Sequence, residues 1–335
     1  MQSRSDVRQY IGPFFRSHTS RKTPIPMPQP VAWMNGELID AARAAVPVDD
    51  LGVVAGASVT EFLRTFRHEV FRLDEHLSRL MTSLELVEFS TQVESTTLRE
   101  AIGAVVSHNR QLIPENHELG IIAFVTAGQN LTYLGAAGRE QISLGTVCVH
   151  SFPLPFELWA HRYREGQHLA TVTVPPLPSF AVDPRAKHRN RIHWLRADRE
   201  ARGSFESSSS ILTAGDGFLT ETSSGNVFIV NGNTLRTPKA EYILGGISRE
   251  TLIDIASSLG MTVEEADLTP SDLAAADEAI TTSTPYCVVP VTKFNGQPVG
   301  NGSPGLQFQR LIGAWSESVG IDIVQQAVRI AAERS

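Results

Sequence analysis

Cysteine is nearly missing: Cys148 and Cys287 are the two in 335 residues, far apart and without the spacing of a metal site. A disulfide scaffold is excluded, and a reducing, cytoplasmic setting is expected. Long apolar runs are missing as well, so no membrane partner is expected. Positive charge is in short supply, with 29 Lys and Arg against 36 Asp and Glu for a net −7. Nucleic acid is therefore not an expected partner. Motifs for several common chemistries also fail. His68-Glu69 starts like a zinc-protease helix, but Arg72 takes the place of the second histidine. Gly56 to Thr60 lacks the closing glycine of a nucleophile elbow. No Walker loop or G-x-G-x-x-G fingerprint occurs.

What remains is an ordinary enzyme composition, 41% hydrophobic and 19% charged, at a length that favours two domains. Residues 1–30 combine arginines with a proline-rich end and lack the apolar core of a secretory signal. A transit peptide is conceivable there; we take the segment as an N-terminal extension. Structure is expected from Val31, with a hairpin around Asn35-Gly36. A strand carrying Phe62, Arg64 and Phe66 on one face follows, then a partner strand at 70–73 and a helix capped by Asp74. A second helix over 97–108 and strands over 119–126 and 141–150 complete a domain of residues 31–150. The prolines of 151–156 read as a linker, and 157–335 as a second domain. There, strands are expected at 169–174, 210–213, 261–263 and 287–293, helices at 192–202 and from Ser248, and one final helix from Gly305. Strands alternating with helices in two blocks indicate an α/β or α+β chain.

One stretch organises the rest. Thr220 to Asn226 places Glu221 just ahead of the apolar run Val227-Phe228-Ile229-Val230. After a turn and a second strand, Gly245-Gly246-Ile247-Ser248 opens a helix. A withdrawn acid and a glycine-led helix start, which offers free N–H groups to an anion, suit a ligand with a cationic end and a phosphate end.

The order of these pieces resembles the class IV, or fold-type IV, pyridoxal-phosphate aminotransferases, a group that includes branched-chain and D-amino-acid aminotransferases and aminodeoxychorismate lyase. The resemblance runs from about Val31 to Ile323. It rests on Glu221, Asn226, Val227, Phe228, Thr237, Gly246, Ile247 and Arg249, on Gly56 to Phe66, on Leu73 to Leu80, on Lys187, and on Thr282-Ser283-Thr284 before Pro290-Val291. It implies a small α/β domain and a larger pseudo-barrel α/β domain, pyridoxal 5'-phosphate as cofactor, amino-acid and 2-oxo-acid substrates, and a homodimer.

The resemblance also implies roles. Lys187, otherwise an ordinary surface charge, would hold the cofactor aldehyde as a Schiff base and then shuttle a proton. Glu221 would pair with the pyridine nitrogen and keep it protonated. The phosphate would be shared by Arg64, by Gly246, Ile247 and Ser248, and by Thr284, though Arg64 also suits a strand ion pair and Thr284 a turn hydroxyl. His76 and Arg79 read as structural, and Asn226 as a buttress of the Glu221 loop. Departures leave the substrate open. Ala127 stands where D-amino-acid enzymes carry an arginine, Ile192 near the tyrosine of branched-chain enzymes, and Thr60 where those have an aromatic. Arg189, Arg191 and His193 are substrate-side charges or a solvated basic turn. The leading expectation is transamination of branched-chain or related aliphatic amino acids. A pyruvate-releasing lyase, a D-amino-acid or amine transaminase and a binding protein without turnover are the alternatives.

Overall fold

A computed structural model of the protein describes residues 29–89, 93–140 and 145–334. The expected extension lies outside these residues up to position 28, as do positions 141–144 of the strand expected there.

The first half builds one sheet. β1 (Val31–Met34) and β2 (Glu37–Asp40) meet at Asn35 and Gly36, both with positive φ, as a two-residue hairpin turn requires. After the short α1 (Leu51–Val54) come β3 (Ser58–Phe66), β4 (Glu69–Val70), α2 (Leu73–Leu86), α3 (Ser95–Asn109), β5 (Leu119–Thr126) and β6 (Val147–Pro153). The strands pair in the order β2-β1-β6-β5-β3-β4, all antiparallel. Alternation along each strand makes two faces. Val59, Leu63, Ile121, Val125 and Val149 pack on α2 and α3, while Thr60, Phe62, Ile122 and Phe124 look towards the second half.

The second half runs α4 (Arg162–Glu165), β7 (Gln167–Thr171), α5 (Ile192–Ser204), β8 (Ser208–Thr213), β9 (Leu219–Thr222), β10 (Asn226–Asn231), β11 (Thr234–Pro238), α6 (Ile247–Ser258), β12 (Thr262–Ala266), α7 (Pro270–Ala274), β13 (Glu278–Ser283), β14 (Cys287–Phe294), β15 (Gln297–Pro298), α8 (Leu306–Val319) and α9 (Ile323–Arg334). Its strands follow the order β12-β11-β10-β13-β14-β7-β8-β9, and β9 turns back to pair with β10 through Glu221 and Asn226. That closure gives a pseudo-barrel. Leu169, Ile211, Leu219, Val227 and Ile229 fill one side of it. Phe228, Val230 and Ile280 point the other way, onto a core shared with Leu252, Phe308 and Trp315 of α6 and α8.

Several expected boundaries move. The N-cap of α2 is Arg72, in the left-handed region and without a side-chain cap, so Asp74 sits inside the first turn, where its charge favours the helix dipole. The single final helix is two, α8 and α9, because Gly320 at φ 67° takes the left-handed cap that stops the first. β6 runs on through Pro153. β7 ends at Thr171, after which the Thr173 N–H goes to Glu200 Oε1 at 2.7 Å instead of to a neighbouring strand. Among the described residues no helix is long and apolar enough to cross a membrane.

Candidate active site

The segment 187–189 stitches the two halves together. Thr60 N donates to the Lys187 carbonyl and Arg189 N to the Ser58 carbonyl, both at 2.9 Å, around an antiparallel bridge between Val59 and His188. From the helix side, Ser83 Oγ accepts the Lys187 N–H at 3.1 Å. A strand and a helix thus hold the lysine backbone, and the side chain enters a cleft. Burial, then the Arg79 guanidinium, lowers its pKa to about 8. Such an amine has a neutral, nucleophilic fraction near physiological pH.

Glu221, at the end of β9, lines the same cleft. Leu244 N donates to its Oε2 at 3.3 Å, and burial raises its pKa to about 7 despite that bond. The cleft has two lobes, of about 440 and 380 Å³, and both are lined by Lys187, His188, Arg191, Glu221 and Leu244. Volumes of this size suit a cofactor or a small substrate.

Next to Leu244 lies the anion end. α6 begins at Ile247 with Gly246 as N-cap and no side chain capping it, so its first N–H groups are left open. Asn226 Nδ2 donates to the Leu244 carbonyl at 3.0 Å, and a side chain at Gly246 would collide with Asn226 Oδ1. Asn226 therefore braces this glycine turn as well as pairing with Glu221 across β9 and β10. Facing Asn226 across the β10–β13 pair is Thr282, whose Oγ1 is buried without a hydrogen-bond partner. The turn after it holds the half-buried Thr284 and is tied to the Glu221 loop by Ser283 Oγ donating to Ser224 O at 2.5 Å.

Two arginines exchange the places expected of them. Arg64 does not line either lobe. It is 1% exposed, donates from Nη1 to Pro285 O at 2.9 Å and to Cys287 Sγ at 3.5 Å, and lies over the Phe66 ring. The face of β3 that carries Thr60 and Phe62 to the cleft has, by Arg64, passed into the packing between the halves. Arg79 is the guanidinium at the cradle. Its Nη1 donates to Gly245 O at 2.7 Å, beside the start of α6, while Nε and Nη2 grip Glu61 at 2.7 and 2.8 Å. His76 Nδ1 completes that cluster at 2.8 Å from Glu61 Oε2. Burial alone would raise the Glu61 carboxyl, but Arg79 and then His76 bring it down to about 2. The readable signal was the spacing 76, 79, 83 on α2, which puts His76, Arg79 and Ser83 along one polar edge of a helix otherwise facing the core.

The basic turn splits. Arg191 donates to Ser223 O and lies 5.2 Å over the Trp194 ring, and Arg189 lies 4.9 Å over the Phe124 ring. Burial, then His188 and Arg191, pushes His193 down to about 4.

A pyridoxal phosphate needs an amine for its aldehyde, an acid for its ring nitrogen and amides or hydroxyls for its phosphate. The cleft offers Lys187 and a Glu221 with no cation hydrogen-bonded to it among the described residues, and beside Leu244 at its edge lies an uncapped helix start, so the residues fit the group.

Known proteins agree with this geometry. The chain is 28% identical over 287 residues to branched-chain-amino-acid aminotransferase-like protein 2 of Arabidopsis thaliana, covering 86% of this chain and 50% of that one. It thus spans about half the length of the first curated relatives it matches. With D-alanine aminotransferase of Bacillus licheniformis it shares 28% identity over 81% of this chain and 90% of the relative. The T.th. branched-chain amino acid aminotransferase with pyridoxamine 5'-phosphate superposes with a TM-score of 0.77 at 26% identity, over 87% of this chain and 94% of that one. The Escherichia coli branched-chain enzyme gives 0.78 at 25% identity, over 86% and 94%. Residues 58–294, which include both carboxylates, the lysine and the helix start, match the family described as amino-transferase class IV. The chain belongs to that family, whose cofactor is pyridoxal 5'-phosphate.

Proposed function

We propose that the protein is a pyridoxal-phosphate-dependent transaminase that moves an amino group between an amino acid, branched-chain or a related aliphatic, and a 2-oxo acid. One observation carries the reading: Lys187 and Glu221, neither in a salt bridge among the described residues, line one cleft beside the open N-terminus of α6. When bound, the cofactor supplies an aldehyde for the amine and a ring that accepts the electrons of the breaking Cα bond.

The chain's own part is positioning and proton movement. Lys187 Nζ would hold the cofactor's aldehyde end and, when freed, would carry the proton taken from the substrate Cα. Glu221 keeps a ring N–H paired and charged. The first amides of α6 at Ile247 and Ser248, with Thr284, hold the phosphate, and Arg79 adds positive charge beside Gly245. Phe62 and Ile122 give the smaller lobe an apolar wall, which favours aliphatic side chains.

The division into small and large domains is kept because each half builds its own sheet, but β6 carries the small domain through Pro153, into the segment expected to be a linker. A homodimer is supported by apolar side chains left open near the cleft: Phe180 is 91%, Ile192 66% and Leu195 64% exposed. Light scattering that gives a monomer for the active protein overturns this. A cytoplasmic location is supported by two free, buried cysteines.

The test is a half-reaction panel on the holoenzyme with valine, D-alanine and aminodeoxychorismate, reading loss of the cofactor's visible absorbance. Valine is expected to be the most effective. Pyruvate release from aminodeoxychorismate would make the protein a lyase, and no response to any donor would end the transaminase reading. Lys187→Ala is expected to abolish the response.

A further inference from the structure

The bridge between the halves sets a second side chain beside the reactive amine. Lys187 and Arg189 are two residues apart in an extended segment, so their side chains leave on the same side. The register places that side with Ser58 and Thr60, and Thr60 and Phe62 stand opposite Phe124 and Ile122 on β5. This face is the wall of the smaller lobe, which Arg189 lines together with Lys187.

What surrounds Arg189 is mostly uncharged. Its guanidinium rests on the Phe124 ring, and among the described residues no carboxylate pairs with it. Cys148 stands opposite Phe124 and His150 opposite Ile122. Burial keeps Cys148 a neutral thiol, its pKa raised to about 11, and burial, then Arg189, disfavours the charged form of His150. Arg191, by contrast, is already engaged with Ser223 O and Trp194 and is attracted by Glu221 and Asp198. Ala127, at the end of β5, adds no charge. Arg189 is exposed on the apolar wall of the smaller lobe, which Glu221 also lines, and with no carboxylate bonded to it among the described residues its guanidinium is open to an anionic group entering the lobe.

We propose that Arg189 takes the carboxylate of the amino-acid and oxo-acid substrates and so selects acids over plain amines. The assignment rests on the transaminase reading above. The reach is suitable: two strand residues separate the Lys187 and Arg189 Cα atoms by about 6.7 Å. The two bonds from amine to carboxyl carbon, plus a charge-assisted hydrogen bond of about 2.8 Å, span such a gap. Phe62 and Ile122 then flank the side chain of the same substrate.

The experiment uses holoenzyme, Arg189→Ala, Arg189→Lys and, as a surface control, Arg196→Ala. Binding of 3-methylbutanoate, a carboxylate without an amine, is measured by calorimetry. KM and kcat are measured with whichever amino acid of the panel turns over and with isobutylamine, an amine without a carboxylate. Arg189→Ala is expected to weaken 3-methylbutanoate binding and raise the amino-acid KM by about 10- to 100-fold. Its kcat should change by only a few fold, with isobutylamine unaffected and part of the loss regained in Arg189→Lys. An unchanged affinity for 3-methylbutanoate, no binding to the wild type, or an equal loss for acid and amine overturns the proposal. If no donor reacts, the transaminase reading fails by itself, and the calorimetry still decides whether Arg189 binds a carboxylate.

Discussion

Two glutamates flank Lys187, one from each half, and their environments are opposites. Glu61, on β3, receives His76 and the Nε and Nη2 of Arg79 within 2.8 Å, and its pKa falls to about 2. Glu221, on β9, receives the Leu244 N–H at 3.3 Å, and its pKa rises to about 7. Burial pushes both carboxyls upward; what differs is that cations are hydrogen-bonded to Glu61, whereas Lys187, Arg191 and Arg79 act on Glu221 only from a distance. The small-domain acid is complete and acts as a clamp on Arg79. The large-domain acid has no cation hydrogen-bonded to it, and under the proposed function a protonated ring nitrogen would be the partner that completes it. An unmatched buried charge is costly in a fold, which is why its presence in a cleft points to a ligand.

The largest effect that would break this comparison is expected at Glu221. Glu221→Gln keeps the shape but cannot hold a ring proton by charge, so the half-reaction rate should fall on the order of 10²- to 10⁴-fold, measured in a single turnover. Loss of less than tenfold would mean that the unfinished acid is not the ring's partner. Arg79→Met comes next. It strips Glu61 of its main cation and empties the cradle, at a cost of about 3–5 kcal/mol in stability. Titration of the apoprotein with cofactor should show an affinity lowered by about 10²- to 10³-fold.

A pH series sharpens the contrast. The folded pKa of Glu61 lies below its usual 4.5, so its contribution is complete above 4.5 and is lost as pH falls towards 2. Glu61→Gln should remove roughly 3 kcal/mol at neutral pH and flatten that acid limb in urea unfolding. Glu221 works with the opposite sign. In the apoprotein its folded pKa is raised, so between pH 4.5 and about 7 the native state holds a proton that the unfolded chain has lost. Stability should fall with rising pH in that window, and adding cofactor or Glu221→Gln should abolish the decline.

Much of this was legible beforehand, and the rest was hidden for physical reasons. Asn35-Gly36 announced its hairpin because a two-residue turn needs two positive φ angles. Glu221 stood out by its place just ahead of an apolar strand, whereas Lys187 was singled out through the family pattern, since nothing in a lone lysine distinguishes a cleft from solvent. Alternation correctly grouped Phe62, Arg64 and Phe66 on one face of β3, yet period two says nothing about what covers each part of that face. A long strand can leave the cleft at one end and enter a core at the other, and this one does so between Phe62 and Arg64. The closing of β9 onto β10 joins residues near in sequence but depends on a whole sheet curling, which no local pattern records.

Arg64 provides the smallest and most discriminating test. Its Nη1 is satisfied by Pro285 O and Cys287 Sγ, while Nη2 is buried without a partner. Replacing the side chain by methionine loses the hydrogen bonds from Nη1 to Pro285 O and from Nε to Thr65 O, relieves one orphaned donor and leaves a flexible apolar chain over Phe66. These terms oppose each other, so stability should move by no more than about 1–2 kcal/mol in either direction. Cofactor affinity should stay within about twofold of the wild type, in contrast to the loss at Arg79. A tenfold or larger drop in affinity in a folded Arg64→Met protein would put Arg64 at the phosphate. Arg79 would then be left only as the clamp on Glu61, and the line drawn between a finished acid and an unfinished one would have to be redrawn around a cradle supplied by both arginines.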